Sequence, residues 1–204
     1  MTRIGVLALQ GDFAAHAKRL RSLGAEPLEV RRVNALGGLD GLVIPGGEST
    51  TLLNLMGDEP WFPALRDFHS AGGAIMGTCA GAILLSRDVV PAQPSLGLLH
   101  AEIERNAFGR QVDSFETRLD APALGGPVEA VFIRAPRFRA LGPDVRTLAM
   151  LDGEPVMVQE GRVLALTFHP ELTRYGSVHA YFVDLARNKA NAQAGEFVPA
   201  GRVS

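Results

Sequence analysis

The sequence predicts an α/β fold: a mixed, mainly parallel sheet with helices on both faces. In its first half, short apolar runs typical of buried strands alternate with segments whose apolar residues recur at helical spacing. In its second half, strand-like runs are joined by Asp152-Gly153 and Glu160-Gly161, two turn dipeptides at hairpin spacing. The first pattern predicts parallel strands with crossover helices, and the second predicts antiparallel strands added to the sheet.

Four strands and three helices are predicted before the single cysteine. The strands occupy residues 4–9, 28–30, 41–44 and 73–76. The helices carry apolar stripes at Phe13, Ala17, Leu20 and Leu23, at Leu52, Leu53 and Met56, and at Trp61, Leu65 and Phe68. Gly24 ends the first helix, and Ser49 is expected to cap the second.

The second half adds strand-like runs at residues 128–133, 147–151, 156–158 and 162–168. A last helix carries Val178, Tyr181, Phe182 and Leu185 on one face. After Asn188 the chain turns polar and small. We therefore expect one domain over residues 1–191 and a flexible tail over residues 192–204.

Composition excludes several classes of function. With 204 residues, 47% of them hydrophobic, the chain has ample material for one core. A net charge of −2 with dispersed Lys and Arg argues against nucleic acid as a partner. One cysteine forms no internal disulfide, and no Cys/His cluster has zinc spacing, so we expect no metal. Without a signal-peptide pattern or an apolar run of membrane-spanning length, a cytoplasmic location away from membranes is expected.

The single cysteine, Cys79, lies in a Gly-Thr-Cys-Ala-Gly segment (residues 77–81) between a strand-like run and the helix-like residues 82–85. Small residues around a reactive side chain let a strand turn abruptly into a helix, as in the nucleophile elbow of hydrolases. Such a turn exposes the sulfur above the sheet, and a helix N-terminus favours thiolate over thiol. The alternative is a small buried cysteine with no chemical role.

A candidate partner for the sulfur stands 90 residues downstream, where residues 162–168 lead into His169-Pro170-Glu171. Pro170 keeps the backbone of His169 extended. Since residues two apart in an extended chain point the same way, Glu171 can hold one nitrogen of His169 while the other faces the sulfur. The alternative is a strand-end histidine beside a solvated glutamate.

These two motifs together resemble the class I, triad-type glutamine amidotransferases. Four further segments resemble the glutaminase subunits of pyridoxal 5′-phosphate synthase: residues 5–11, 45–51, 104–111 and 132–136. The stretch from Glu104 to Gln111 is the most specific, because the Cys and His-Pro-Glu motifs are shared by the whole class. The resemblance covers about residues 3–187.

The resemblance implies a flavodoxin-like fold and hydrolysis of L-glutamine to L-glutamate and ammonia through a thioester on Cys79. His169 would protonate the departing ammonia, and Glu171 would orient His169. No metal or cofactor is implied. A separate synthase subunit would combine the ammonia with ribose 5-phosphate and glyceraldehyde 3-phosphate to make pyridoxal 5′-phosphate.

Further site residues follow from the same resemblance. Substrate binding is expected at Gly47, Glu48, Ser49, Arg105, Ile133 and Arg134. Backbone amides of Ala80 and of the Gly46-Gly47 turn are expected to form the oxyanion hole. Gln10, beside that turn, is expected to be regulatory. Without the resemblance the glycine pair is a plain turn and the arginines are solvated, while the other histidines (His16, His69, His100, His179) are interpreted as structural or solvated.

Three alternatives stay open. The chain could be a glutaminase subunit of purine or histidine synthesis, although residues 105–111 argue against it. A noncatalytic partner-binding subunit would be expected to lack Cys79, His169 or Glu171, yet all three are present. A cysteine-based stress protein or peptidase would use an elbow cysteine without His-Pro-Glu after the last strand.

Overall fold

The computed structural model describes residues 1–105, 107 and 114–188; the expected tail and most of the Glu104–Gln111 motif therefore lie outside the described residues. The strands are β1 (Arg3–Leu7), β2 (Glu26–Val30), β3 (Gly41–Ile44), β4 (Ala74–Thr78), β5 (Ser86–Val90), β6 (Leu99–Glu104), β7 (Phe115–Leu119), β8 (Val128–Phe132), β9 (Arg137–Leu141), β10 (Arg146–Leu151), β11 (Glu154–Glu160) and β12 (Val163–Leu166). The helices are α1 (Phe13–Ser22), α2 (Ser49–Met56), α3 (Trp61–Ser70), α4 (Ala80–Leu85) and α5 (Ser177–Arg187).

The central sheet has the strand order β10-β11-β12-β4-β3-β1-β2. Strands β2, β1, β3, β4 and β12 are parallel, whereas β11 and β10 add to the sheet antiparallel through two hairpins. Asp152 and Gly153, between β10 and β11, both have positive φ (50° and 82°), as a tight hairpin turn requires. The predicted fold class is confirmed.

Helices cover both faces of this sheet. On one face α1 and α5 pack with apolar side chains such as Leu20 and Phe182 against the residues of the inner strands. On the other face α2, α3 and α4 form a second cluster around Leu52, Trp61 and Leu84. In the described part of the chain, none of the helices is long and apolar enough to cross a bilayer.

Two sequence expectations are corrected. Strand β8, expected in the central sheet, pairs with β7 in a separate two-stranded sheet, while β5, β6 and β9 form a third. An alternating pattern of apolar and polar residues predicts a strand but does not indicate which other strand it pairs with. Ser49 is the first residue of α2 and not its cap; the cap is Glu48, whose carboxylate accepts from the amide of Thr51 at 2.7 Å.

The topology brings three loops to one edge of the sheet. Strands β3, β4 and β12 are parallel neighbours, so their carboxyl ends lie side by side. Gly46, Cys79 and His169 each follow one of these ends by one to three residues. Ligands in open α/β sheets bind in such a crevice. The fold therefore places the candidate nucleophile, histidine and glycine turn together.

Candidate active site

Cys79 stands at an abrupt turn between β4 and α4. Its backbone has φ +49° and ψ −104°, a conformation that is rare for a residue with a side chain. The turn is fixed by its amide, which donates to the carbonyl of Leu166 in β12 at 2.8 Å. The side chain is nearly buried, at 6% exposure, and borders a cavity. Such strain is typical of functional sites.

Glycines on both sides make this turn sterically feasible. A Cβ at Gly81 would lie 2.1 Å from the carbonyl oxygen of Ile44, and one at Gly77 would lie 2.5 Å from the backbone of Gly81. Neither position therefore accepts a side chain without a backbone shift. The Gly-Thr-Cys-Ala-Gly pattern follows from the close packing of α4 against β3 and β4.

His169 and Glu171 meet through a tight turn, which corrects the expectation of an extended chain. His169 itself has an extended φ of −110°, but Pro170–Leu172 form a 3₁₀ turn. This turn brings Glu171 Oε1 to 2.8 Å from His169 Nδ1. The amide of His169 donates to the carbonyl of Val131 at 2.8 Å, which anchors the loop on β8. The Nε2 nitrogen of His169 is thereby left for the sulfur.

The imidazole of His169 is electrostatically prepared to hold a proton. Burial acts to lower its pKa, but hydrogen bonds to Cys79 and Glu171 and the charges of both groups outweigh burial and raise the pKa to about 10. Three side chains so arranged can supply a nucleophile, a proton shuttle and an orienting carboxylate.

The glycine turn after β3 packs directly on this pair. A Cβ at Gly46 would lie 2.5 Å from His169 Cε1 and 3.2 Å from Cys79 Cβ. Gly47 has φ +129°, which favours glycine. The loop after β1 supports this glycine turn, since Gln10 Nε2 donates a hydrogen bond to the carbonyl of Glu48 at 2.8 Å. A Cβ at Gly11 would lie 2.2 Å from the carbonyl oxygen of Gly46.

The six residues expected to bind substrate border one cavity of about 140 Å³ together with Cys79 and His169. These six are Gly47, Glu48, Ser49, Arg105, Ile133 and Arg134. Ile83 and Pro136 complete its lining. Of the other expected residues, Gly46 and Ala80 adjoin Cys79, and Gln10 contacts the outer side of the glycine turn. The cavity is far smaller than the pocket of a drug-sized ligand, which suits an amino acid.

A glutamine that the sequence reasoning missed links two of these residues. Gln93 Oε1 accepts from the hydroxyl of Ser49 at 2.9 Å and from Arg105 Nη1 at 2.6 Å. Arg105 is thereby held at the cavity rather than in solvent. Gln93 lies in an irregular segment between β5 and β6, where the sequence carries no periodic signal. No pattern could have singled it out.

Two histidines interpreted as structural or solvated also lie behind the site. His16 on α1 and His179 on α5 are completely buried, with His16 Nε2 3.3 Å from Glu171 Oε2. The available signal was that His16 falls on the apolar stripe of α1, between Phe13 and Leu20. His69 and His100 instead contact Gly73 and Glu160, away from the site.

No metal site accompanies this arrangement: across residues 1–105, 107 and 114–188, no three His, Cys, Asp or Glu side chains are arranged to bind an ion.

Comparison with known proteins decides the family. The sequence model of the SNO glutamine amidotransferase family matches residues 6–188. The chain belongs to that family. It is 53% identical over 193 residues to the pyridoxal 5′-phosphate synthase subunit PdxT of Deinococcus radiodurans, covering 92% of this chain and 98% of that protein. It is also 53% identical over 186 residues to a PdxT of Thermus thermophilus, covering 90% and 97%.

Solved structures agree with this assignment. A crystal structure of a glutamine amidotransferase is 51% identical and superposes with a TM-score of 0.85, covering 90% of this chain and 98% of that one. PurLQS from Thermotoga maritima, 17% identical with a TM-score of 0.67, covers 95% and 99% and shares the fold. The chain is thus a glutamine-hydrolysing enzyme of the amidotransferase class, as its motifs predicted.

Proposed function

We propose that this chain is the glutaminase subunit of a pyridoxal 5′-phosphate synthase, which hydrolyses L-glutamine and delivers the ammonia to a separate synthase subunit. The observation that carries the chemistry is Cys79 in a strained elbow, bordering one cavity with a His169 that Glu171 holds at 2.8 Å. The choice of pathway rests on relatives that carry this subunit's name, such as the one from Deinococcus radiodurans. The expected cytoplasmic location stays a prediction.

The proposed reaction has two halves. The Cys79 thiolate attacks the carboxamide carbon of glutamine, and the oxyanion that forms is stabilised by the amides of Ala80 and of the Gly46-Gly47 turn. His169 gives its Nε2 proton to the amide nitrogen as the C–N bond breaks, which releases ammonia and leaves a thioester. His169 then takes a proton from water as it attacks the thioester, and glutamate leaves with the thiolate restored.

The invariant end of glutamine needs partners for an ammonium and a carboxylate. Arg105, fixed by Gln93, borders the cavity and carries the charge that a carboxylate needs. Arg134 has an unusual φ of +45°, which sets the direction of the peptide groups at Ile133-Arg134 beside the cavity. We therefore assign the α-carboxylate to Arg105 and backbone contacts to Ile133 and Arg134.

Gln10 is proposed to couple this site to the partner. Its hydrogen bond to the carbonyl of Glu48 ties the loop after β1 to the glycine turn that supplies an oxyanion amide. A peptide between two glycines rotates at small steric cost. Since losing one oxyanion donor costs about a hundredfold or more in rate, a partner that shifts Gln10 would change the rate through this turn.

The test uses the chain with its copurified synthase subunit. Ammonia release from glutamine should require Cys79 and vanish in Cys79→Ala, while thermal unfolding shows that the variant stays folded. Release by a clean Cys79→Ala complex contradicts the mechanism. Copurification with a purine or histidine enzyme instead would replace the pathway and leave the mechanism standing.

Equal rates of ammonia release with and without the partner would reject the gating through Gln10.

A further inference from the structure

Glu171 meets a second histidine on the side away from His169. Its Oε1 contacts His169 Nδ1 at 2.8 Å, and its Oε2 lies 3.3 Å from His16 Nε2. His16 Nδ1 in turn lies 2.9 Å from His179 Nε2. Because His169 and Cys79 adjoin the same glycine turn and cavity, one line of groups runs from the cysteine to His179 on α5.

Burial makes this line of contacts energetically significant. The side chains of His16 and Glu171 are 0% and 1% exposed. Within the residues that the structure describes, neither His16 Nε2 nor Glu171 Oε2 has a partner in full hydrogen-bond geometry, and the two atoms face each other at 3.3 Å. A buried carboxylate oxygen left without a donor is costly, and an N–H on His16 Nε2 is the group placed to offset that cost.

The chemistry of the groups fixes where the protons lie. A carboxylate only accepts, so His16 Nε2 carries the proton. Burial first, and then the imidazoles of His179 and His169, lower the pKa of His16, which is therefore neutral and has a bare Nδ1. That Nδ1 must accept from His179 Nε2. Burial and the positive charge of Arg19 lower the pKa of His179 to about 3, so it is neutral as well.

We propose that His16 and His179 are positioning residues for glutamine hydrolysis, acting as a relay of two neutral imidazoles that donates into Glu171 Oε2. This inference rests on the proposed function. Glu171 stands on a three-residue turn, Pro170–Leu172, and His16 on a separate helix, α1. The relay therefore fixes the rotation of the carboxylate from outside its own loop. Its Oε1 is kept on His169 Nδ1, so that Nε2 stays on the sulfur.

The proton positions are tested without any turnover. In protein labelled with ¹⁵N-histidine, both His16 and His179 should show a protonated Nε2 and an unprotonated Nδ1. Replacing Glu171 with Ala should change the ring-nitrogen signals of His16 more than those of His69, which lies elsewhere in the fold. A proton on Nδ1 of His16, or signals unchanged by Glu171→Ala, would overturn the relay.

The kinetic test compares two variants of one position in the complex with the synthase subunit. His16→Leu removes the donor, whereas His16→Gln keeps an N–H near the place of Nε2. Rates are normalised to the fraction of sites that a thiol-alkylating glutamine analogue titrates. His16→Leu should lower kcat by about tenfold or more with little change in KM, and His16→Gln should retain most of kcat. His69→Gln, a control away from the site, should match the wild type.

A double-mutant cycle separates positioning from simple packing. If His16 acts through Glu171, His16→Leu should change kcat by less than about twofold in a Glu171→Ala background. Equal losses in the two backgrounds, or equal kcat for His16→Leu and His16→Gln, would overturn the proposal. If the wild-type complex releases no ammonia from glutamine, the proposed function fails, and the ring-nitrogen signals still decide the relay.

Discussion

Gly46→Ala is the smallest change expected to disable this site. The added Cβ would lie 2.5 Å from His169 Cε1, whereas two carbons rest at about 3.5 Å, so the imidazole must move by about 1 Å. The backbone of Gly46 has little room to translate away from the ring, because its carbonyl oxygen faces Gly11, where a Cβ would lie only 2.2 Å from it. Moving the ring also disturbs its 2.8 Å contact with Glu171.

A misplacement of about 1 Å in a catalytic group costs roughly a hundredfold in rate, or about 2.7 kcal/mol of transition-state stabilisation. We therefore expect kcat for glutamine hydrolysis in the synthase complex to fall by about that factor. The unfolding midpoint should change little, since the displaced atoms belong to a side chain at the border of a cavity. Ammonia release at saturating glutamine measures the first effect, and thermal unfolding measures the second.

The matched control is Gly37→Ala. A Cβ at Gly37 would meet nothing closer than 4.0 Å, and its φ of −63° suits any residue. It should leave both rate and stability unchanged. A Gly46→Ala complex with kcat within threefold of the wild type would refute the steric argument and remove Gly46 from the account of the site.

Two other changes separate stability from substrate binding. Gly81→Ala puts a Cβ 2.1 Å from the last backbone carbonyl oxygen of β3 and should lower the free energy of unfolding by about 2–3 kcal/mol in urea titrations. An unchanged midpoint would contradict the packing described for α4. Gln93→Ala removes the hydrogen bond that holds Arg105 and should raise KM for glutamine by about tenfold, with kcat within twofold of the wild type. A loss confined to kcat would reject the assignment of Arg105 to the substrate's carboxylate.

The sequence predicted the layers of this fold well because burial has a clear periodic signal. Residues 41–44 and 73–76 are apolar throughout, as strands covered on both faces must be, and the structure has β3 and β4 there. The pairing of β8 with β7 was not predicted, since the same alternation of buried and exposed residues is compatible with a central sheet and with a separate two-stranded sheet. The cap of α2 was missed because Ser is a preferred cap residue and Glu is not, so only the geometry shows that Glu48 accepts from the amide of Thr51.

The candidate site was predictable only where a motif is local. Cys79 and His169 can be recognised from the sequence because the glycine and proline residues beside them restrict the conformation of the backbone. Gln93 and His16 act through contacts that span 12 and 155 residues of sequence, to Arg105 and Glu171 respectively. Side chains of these types occur throughout any chain, so their roles follow from tertiary structure alone.

Non-glycine residues with an unusual backbone conformation lie mainly at the border of the cavity. Among the described residues, positive φ occurs at three residues other than glycine, and two of them, Cys79 and Arg134, border it. The third, Asp152, lies in a hairpin turn where positive φ is ordinary. Strain of this kind costs about 1–3 kcal/mol per residue and persists only where the surroundings over-determine it. Cys79 is held by its hydrogen bond to β12 and by the glycines beside it, so the packed sheet edge stabilises a conformation that the local sequence disfavours.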